Sequence, residues 1–247
     1  MQSFASYQDY NYMNFGALRV INEDRVAPGE GFGKHGHSNQ EIWSYIVDGE
    51  LEHKDSLGNV EIMKRGDIQM TSTGKGVHHS EYNASKTKPV HFLQIWATPW
   101  KNGLDVSYYN RHFSEEEKRN KLVEVVAPVD AENVIDERDT KGPAPVHSHV
   151  RMHASILTSK ETLTHKLRDD TKLAYLHLIM RSGYRKPTVP ASDKFEDGGA
   201  MLKVNAGLVL EEGDGAFITV AKEGDRSLEL QNVAEKDAEF LLWEMSA

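Results

Sequence analysis

The sequence of 247 residues predicts an all-β protein built as two similar halves. Three observations carry this. Apolar runs are short, rich in β-branched and aromatic residues, and end at turn pairs such as Asp48-Gly49 and Gly66-Asp67. The turn at Gly66-Asp67, between Met63 and Ile68, is echoed by Gly213-Asp214 after Leu210. The length suits one large β domain or two of about 120 residues each. The echo favours two, with expected spans 1–123 and 124–247.

Taken in order, Ala17 to Ile21 is a compact β-prone run, and Ile42 to Val47 is a second, stopping at Asp48-Gly49. Leu51 to His53 leads into the hairpin loop Asp55 to Asn59, and Val60 to Met63 alternates with period two. Gly66-Asp67 introduces Ile68 to Met70, Gly74-Lys75-Gly76 introduces Val77 to Glu81, and Val90 to Trp96 completes the half. Strands at this spacing predict a closed barrel or a sandwich. Ser114-Glu115-Glu116-Glu117 has the capping-box pattern of a short connecting helix. The polar stretch Asp136 to Pro145 is expected to be a boundary loop. Strands resume at Met152 to Thr158, Leu173 to Met180, Met201 to Val204, Phe217 to Val220, Leu228 to Leu230 and Phe240 to Trp243. Arg185 to Gly199 is expected to loop out.

Composition narrows the chemistry. The 29 basic and 38 acidic residues give a formal charge of −9, which argues against direct nucleic-acid binding and against anionic membrane surfaces. No apolar run approaches the length of about 18 residues that a membrane span needs, and Met1-Gln2-Ser3 opens no signal peptide. The expected address is cytoplasmic, with the nucleus as the alternative. There is no cysteine but there are 12 histidines, so any metal must be held by imidazole and carboxylate.

Two motifs fit such a site. His35 and His37 stand at i and i+2, which on an extended chain places both imidazoles on one face. His79 and Glu81 repeat that spacing, while His78 has the opposite parity. Three neutral imidazoles and one carboxylate suit a first-row divalent metal with open positions. In the second half, Arg226 stands at the distance from Gly213 at which His79 stands from Gly66, and no histidine follows it. The second half is therefore expected to be metal-free. His147-Ser148-His149 and His153 have same-face spacing but no partner carboxylate motif, and a loop or interface role is expected for them. The glycines from Gly29 to Gly33 lack the flanking strand and helix of a phosphate loop.

The motifs together resemble those of the pirin family within the cupin superfamily. The resemblance rests on Phe15 to Asn22, His35-Gly36-His37, Asp48-Gly49, Leu51 to Asn59, Gly66-Asp67-Ile68-Gln69, Gly74-Lys75-Gly76, His79-Ser80-Glu81-Tyr82-Asn83 and Gln94-Ile95-Trp96. It is dense from about residue 3 to 112 and thin beyond. It implies a bicupin: two tandem cupin-type β-barrels with a short connecting helix and a metal in the N-terminal barrel alone. It implies His35, His37, His79 and Glu81 as ligands, with Fe(II) expected first and Cu, Mn, Ni or Zn as alternatives. Glu41 takes the place where other cupins keep a ligating glutamate; in pirins that position is not a ligand. The implied activity is that of a quercetin 2,3-dioxygenase, acting on a small polyhydroxylated aromatic and dioxygen, with Glu81 accepting the flavonol hydroxyl proton. The alternative implied role is a redox-sensing regulator whose protein partner is a transcription factor. Gly36 stands where the family usually has proline, and Ser38-Asn39-Gln40 also departs from the pattern. Both changes touch the pocket rim.

Overall fold

The computed structural model describes Ser3–Phe4, Tyr7–Gln8 and residues 14–183, 198–205, 207–221 and 223–246. Of the stretch expected to loop out, all but Gly198 and Gly199 lies outside the described residues. The chain divides into two compact units: the segment up to Phe113 with Val125–Val150, and Ser114–Glu124 with the segment from Arg151 onward.

The first unit opens with the paired strands β1 (Ser3–Phe4) and β2 (Tyr7–Gln8). Then follow β3 (Leu18–Val26), β4 (Gly31–His37), β5 (Glu41–Asp48), β6 (Glu50–Asp55), β7 (Val60–Lys64), β8 (Asp67–Ser72), β9 (Val77–Asn83), β10 (Val90–Ala97) and β11 (Ser107–His112). They form a five-stranded sheet in the order β11-β8-β5-β10-β3 and a four-stranded sheet in the order β4-β9-β6-β7. Ile46, Val90 and Phe92 from the first sheet cluster with Leu51 and Met63 from the second, so this core lies between the two.

The helix α1 (Glu115–Lys118) is one turn long and carries the capping box read from the sequence. Ser114 Oγ accepts the Glu117 N–H at 3.2 Å, and the Ser114 N–H donates to the Glu117 carboxylate at 2.7 Å. Two strands follow, β12 (Val123–Pro128) and β13 (Ala144–Val146), paired in parallel. The second unit, from Arg151 on, holds β14 (Val150–Leu157) but for its first residue, then β15 (Thr162–Lys166), β16 (Leu173–Leu178), β17 (Met201–Val204), β18 (Leu208–Glu211), β19 (Gly215–Thr219), β20 (Ser227–Asn232) and β21 (Ala238–Met245). Its core draws Leu157, Leu176, Leu178 and Phe240 from one sheet and Leu202, Leu210, Leu228 and Leu230 from the other.

The two units repeat each other strand for strand. The run β3-β10-β5-β8 corresponds to β14-β21-β16-β19, and β4-β9-β6-β7 to β15-β20-β17-β18. This is the bicupin arrangement. The echoed turns occupy equivalent places: Asp67 Oδ2 accepts the Lys64 N–H at 2.8 Å, and Asp214 Oδ2 accepts the Glu211 N–H at 3.0 Å. Gly66 and Gly213 have φ of 90° and 89°, a conformation that favours glycine. A buried asparagine provides a second anchor. Asn83 donates to the carbonyls of Val26 and Lys88, and its own oxygen accepts the Ser85 N–H. Asn232 makes the same bonds to Leu157, Lys236 and Ala234.

The division differs from a single cut after residue 123, because Val125–Val150 belongs with the first unit. The reason is a buried cation. Arg111 on β11 donates to the carbonyls of Ile135, Glu137 and Arg138, and the Tyr109 hydroxyl donates to Asp136 at 2.6 Å. Its polar composition marks that stretch as a boundary loop, yet its main chain supplies the acceptors a buried guanidinium needs. Among the described residues no helix is long and apolar enough to cross a membrane.

Candidate metal centre

β4 and β9 run antiparallel with His35 opposite His79. The pleat of β9 turns Val77, His79, Glu81 and Asn83 inward and leaves His78 and Tyr82 exposed. The parity argument against His78 therefore holds. His35, His37 and His79 each offer a ring nitrogen, and these atoms all lie within 4.8 Å of one another.

Two of the three have their outer nitrogen engaged. The His35 Nδ1–H donates to the Gly33 carbonyl at 2.7 Å, which orients the ring. Its Nε2 faces His79 Nε2 at 3.1 Å. Behind His79, its Nδ1 lies 3.0 Å from Nε2 of His53, a fully buried residue on β6. Burial, reinforced by the neighbouring imidazoles, pushes His79 down to about 2 and His37 to about 4; burial also lowers His53 to about 4. All three stay neutral at pH 7, the form in which imidazole binds a metal. With His79 Nδ1–H turned to His53, the Nε2 atoms of His35 and His79 converge as two lone pairs that a cation would bridge, so the donor set fits a metal ion; with the proton on His79 Nε2 instead, they form a hydrogen bond.

Glu81 lines the same cavity but is not part of that 4.8 Å group. The Ser44 hydroxyl donates to its Oε1 at 3.2 Å and the Gln94 amide to its Oε2 at 2.6 Å. Burial raises its carboxyl to about 7, with Asp24 adding and the hydrogen bonds from Ser44 and Gln94 opposing. The cavity encloses about 520 Å³, with Phe32 and Trp96 as aromatic walls and Asn22, Asp24 and Gln94 as polar ones. Burial, then the charge of Glu23, lifts Asp24 to about 6.

The other candidates go elsewhere. The Glu41 carboxylate accepts the Ser72 hydroxyl at 2.7 Å and the His147 N–H at 3.0 Å, a bracing role away from the histidine group. His147 and His149 pack beside Trp100. His53 is the functional candidate the motif reading missed. Its signal was its place two residues after Leu51 on β6, which turns both side chains inward.

A sequence model described as Pirin matches residues 1–97. A pirin-like protein of Caulobacter vibrioides is 35% identical over 232 residues, covering 94% of this chain and 90% of that protein. The chain belongs to the pirin family. A further relative, quercetin 2,3-dioxygenase of Escherichia coli strain K12, is 38% identical over 171 residues, 69% of each chain. The crystal structure of the bacterial pirin YhhW from E. coli in complex with nickel(II) superposes with a TM-score of 0.76. It is 30% identical and covers 98% of this pirin and 88% of that chain.

Proposed function

We propose that this pirin is a metal-dependent dioxygenase acting on quercetin or a related flavonol. His35, His37 and His79 hold one divalent metal, Fe(II) by expectation, and Glu81 completes the set through Oε1 until that oxygen takes the substrate proton, Gln94 holding Oε2 throughout. The observation that carries the reading is the pair of Nε2 atoms facing at 3.1 Å while the opposite nitrogens are engaged. The nickel(II) complex of YhhW and the name of the E. coli K12 relative support it. When bound, the metal supplies Lewis acidity toward a hydroxyl oxygen and, if redox-active, an electron path to dioxygen.

The chain's own residues do the rest. Phe32 and Trp96 offer faces for a planar aromatic, and a cavity of about 520 Å³ falls within the range of about 300–1,000 Å³ usual for small-molecule pockets. Asn22, Asp24 and Gln94 offer partners for ring hydroxyls. Glu81 accepts the hydroxyl proton at Oε1, the oxygen with the longer 3.2 Å bond from Ser44, while Gln94 holds Oε2. A carboxylate with Oε1 beside the cavity is placed to take that proton.

The test is anaerobic reconstitution with Fe(II), then quercetin and dioxygen, with oxygen uptake and released carbon monoxide measured together. Uptake of oxygen with stoichiometric carbon monoxide is expected. A metal-loaded protein that consumes no oxygen with quercetin refutes the proposal.

A further inference from the structure

The metal reading of the first unit leaves one other convergence of ligand-type side chains among the described residues. His153 on β14, His165 on β15 and Glu244 on β21 present two ring nitrogens and a carboxylate oxygen within 4.8 Å of one another. All three belong to the second unit. They come from both of its sheets, with β14 and β21 in one and β15 at the edge of the other.

The carboxylate is aimed. Glu244 Oε2 accepts the Arg168 N–H at 2.9 Å and the Thr171 hydroxyl at 2.6 Å, which turns Oε1 toward the histidines. His165 Nε2 lies 2.7 Å from that Oε1 and His153 Nδ1 lies 3.9 Å from it. A histidine–glutamate pair alone accounts for His165 and Glu244. It does not account for His153, which is 8% exposed and whose inward Nδ1 has no hydrogen-bond partner. A buried polar atom with nothing to bind calls for an explanation, and an ion is one. On its far side, His153 Nε2 is 3.8 Å from Glu124, itself held by Arg151 at 2.6 Å.

The repeat explains the location. Matching Asn83 with Asn232 places Leu228 and Leu230, both buried, where the first unit has His79 and Glu81. The equivalent site is thus filled with hydrocarbon; matching by asparagine rather than by glycine moves the counterpart of His79 from Arg226 to Leu228. The same match sets Leu157 against Val26 and Lys236 against Lys88. Counting along the strands then puts His153 at the place of Asn22 and Glu244 at that of Trp96. Asn22 and Trp96 line the first unit's cavity, so the second cluster sits on the corresponding inner wall, displaced from the corresponding ligands.

We propose that the second unit binds a divalent first-row metal ion through His153 Nδ1, His165 Nε2 and Glu244 Oε1. Two imidazoles and a carboxylate are a sufficient protein set for zinc or a neighbouring metal, with remaining positions left to water. To bind the ion, His165 Nε2 gives up the proton it donates to Glu244 Oε1 at 2.7 Å, and the ion takes that proton's place. His165, with 20% of its side chain exposed, gives the ion a way in. Once bound, the ion ties the two sheets of the unit together.

The test uses the full chain loaded with Zn²⁺, dialysed, and measured by elemental analysis. Wild type is expected to retain two equivalents, His165→Ala one, and the double variant His35→Ala/His37→Ala one. Retention of two equivalents by His165→Ala, or a single wild-type equivalent lost with His35→Ala/His37→Ala, overturns the proposal. A single wild-type equivalent that is kept by His35→Ala/His37→Ala and lost by His165→Ala would instead contradict the reading of the first site. A second measurement leaves the second unit unaltered: Zn²⁺ added to His35→Ala/His37→Ala should raise its Tm by several degrees. No rise there overturns the proposal even if His165→Ala fails to fold.

Discussion

Substituting His53 by alanine should weaken metal binding although His53 is not itself a ligand. Its Nε2 lies 3.0 Å from His79 Nδ1, its ring stacks on Tyr108 with centroids 5.4 Å apart, and it is fully buried. His53 Nδ1 has no partner in that burial. The arrangement that leaves His79 Nε2 free for a metal has His79 Nδ1–H donating to His53 Nε2. Losing such an outer partner typically lowers metal affinity about 10–100-fold, or about 1.4–2.7 kcal/mol. The truncation also opens a cavity, so folding stability should fall by roughly 2–5 kcal/mol. His53→Gln separates the two effects, because its carbonyl oxygen can accept from His79 and should restore most of the affinity. The assay is competition for Zn²⁺ against a chromophoric chelator, on variants whose circular dichroism matches wild type. If folded His53→Ala binds as tightly as wild type, the orientation argument is wrong.

Three further outcomes are expected. In metal-free protein the Glu81 carboxyl stands at about 7 rather than its ordinary 4.5. Its contribution is therefore fully present below pH 4.5 and lost as pH rises through 7, a loss of about 3 kcal/mol. The neutral His37, His53 and His79 act the other way in both proteins, so the test is the difference: from pH 5 to pH 8 the wild-type urea midpoint should fall relative to that of Glu81→Gln, and an unchanged difference would count against it. Gly31→Ala should destabilise by at least about 1–3 kcal/mol, since its Cβ would meet Tyr82 Cα at 2.6 Å and the main chain of Glu81. Chemical denaturation and metal stoichiometry should fall together. Asn232→Ala removes three hydrogen bonds and leaves the Leu157 and Lys236 carbonyls short of a donor, costing about 2–4 kcal/mol. Calorimetry should show the loss in the second unit's unfolding, and an unchanged profile would contradict the anchor role.

Much of the first unit was legible because its signals are local. Strand pleat fixes parity, so His35, His37 and His79 could be placed on one wall from spacing alone, and the structure brings them together. Glu81 was placed on that wall by the same rule, but parity says nothing about where a carboxylate turns, and Ser44 and Gln94 decide that. His53 reaches His79 across the β6–β9 pairing, a relation no local pattern encodes. β15 escaped notice because Thr162-Leu163-Thr164-His165-Lys166 has only one apolar residue; it is a strand because it pairs with β20. That Val125–Val150 groups with the first unit was not legible, because its carbonyls satisfy a buried arginine distant in sequence.

The repeated units also show which residues specify the scaffold and which the chemistry. The glycine–aspartate turn and the buried asparagine recur with the same bonds in both, and each satisfies main-chain groups that the strand order leaves unpaired. Neither touches a histidine of the first site, so neither constrains what the inner wall presents. That wall could exchange His79 and Glu81 for Leu228 and Leu230 without disturbing either anchor. A polar cluster could likewise assemble on β14, β15 and β21 instead. The fold is therefore recoverable in the second half from turn and anchor, while its chemistry has to be read from contacts between strands far apart in sequence. Glu244 illustrates the point: its partners His153, His165, Arg168 and Thr171 all come from the opposite end of the unit's sequence.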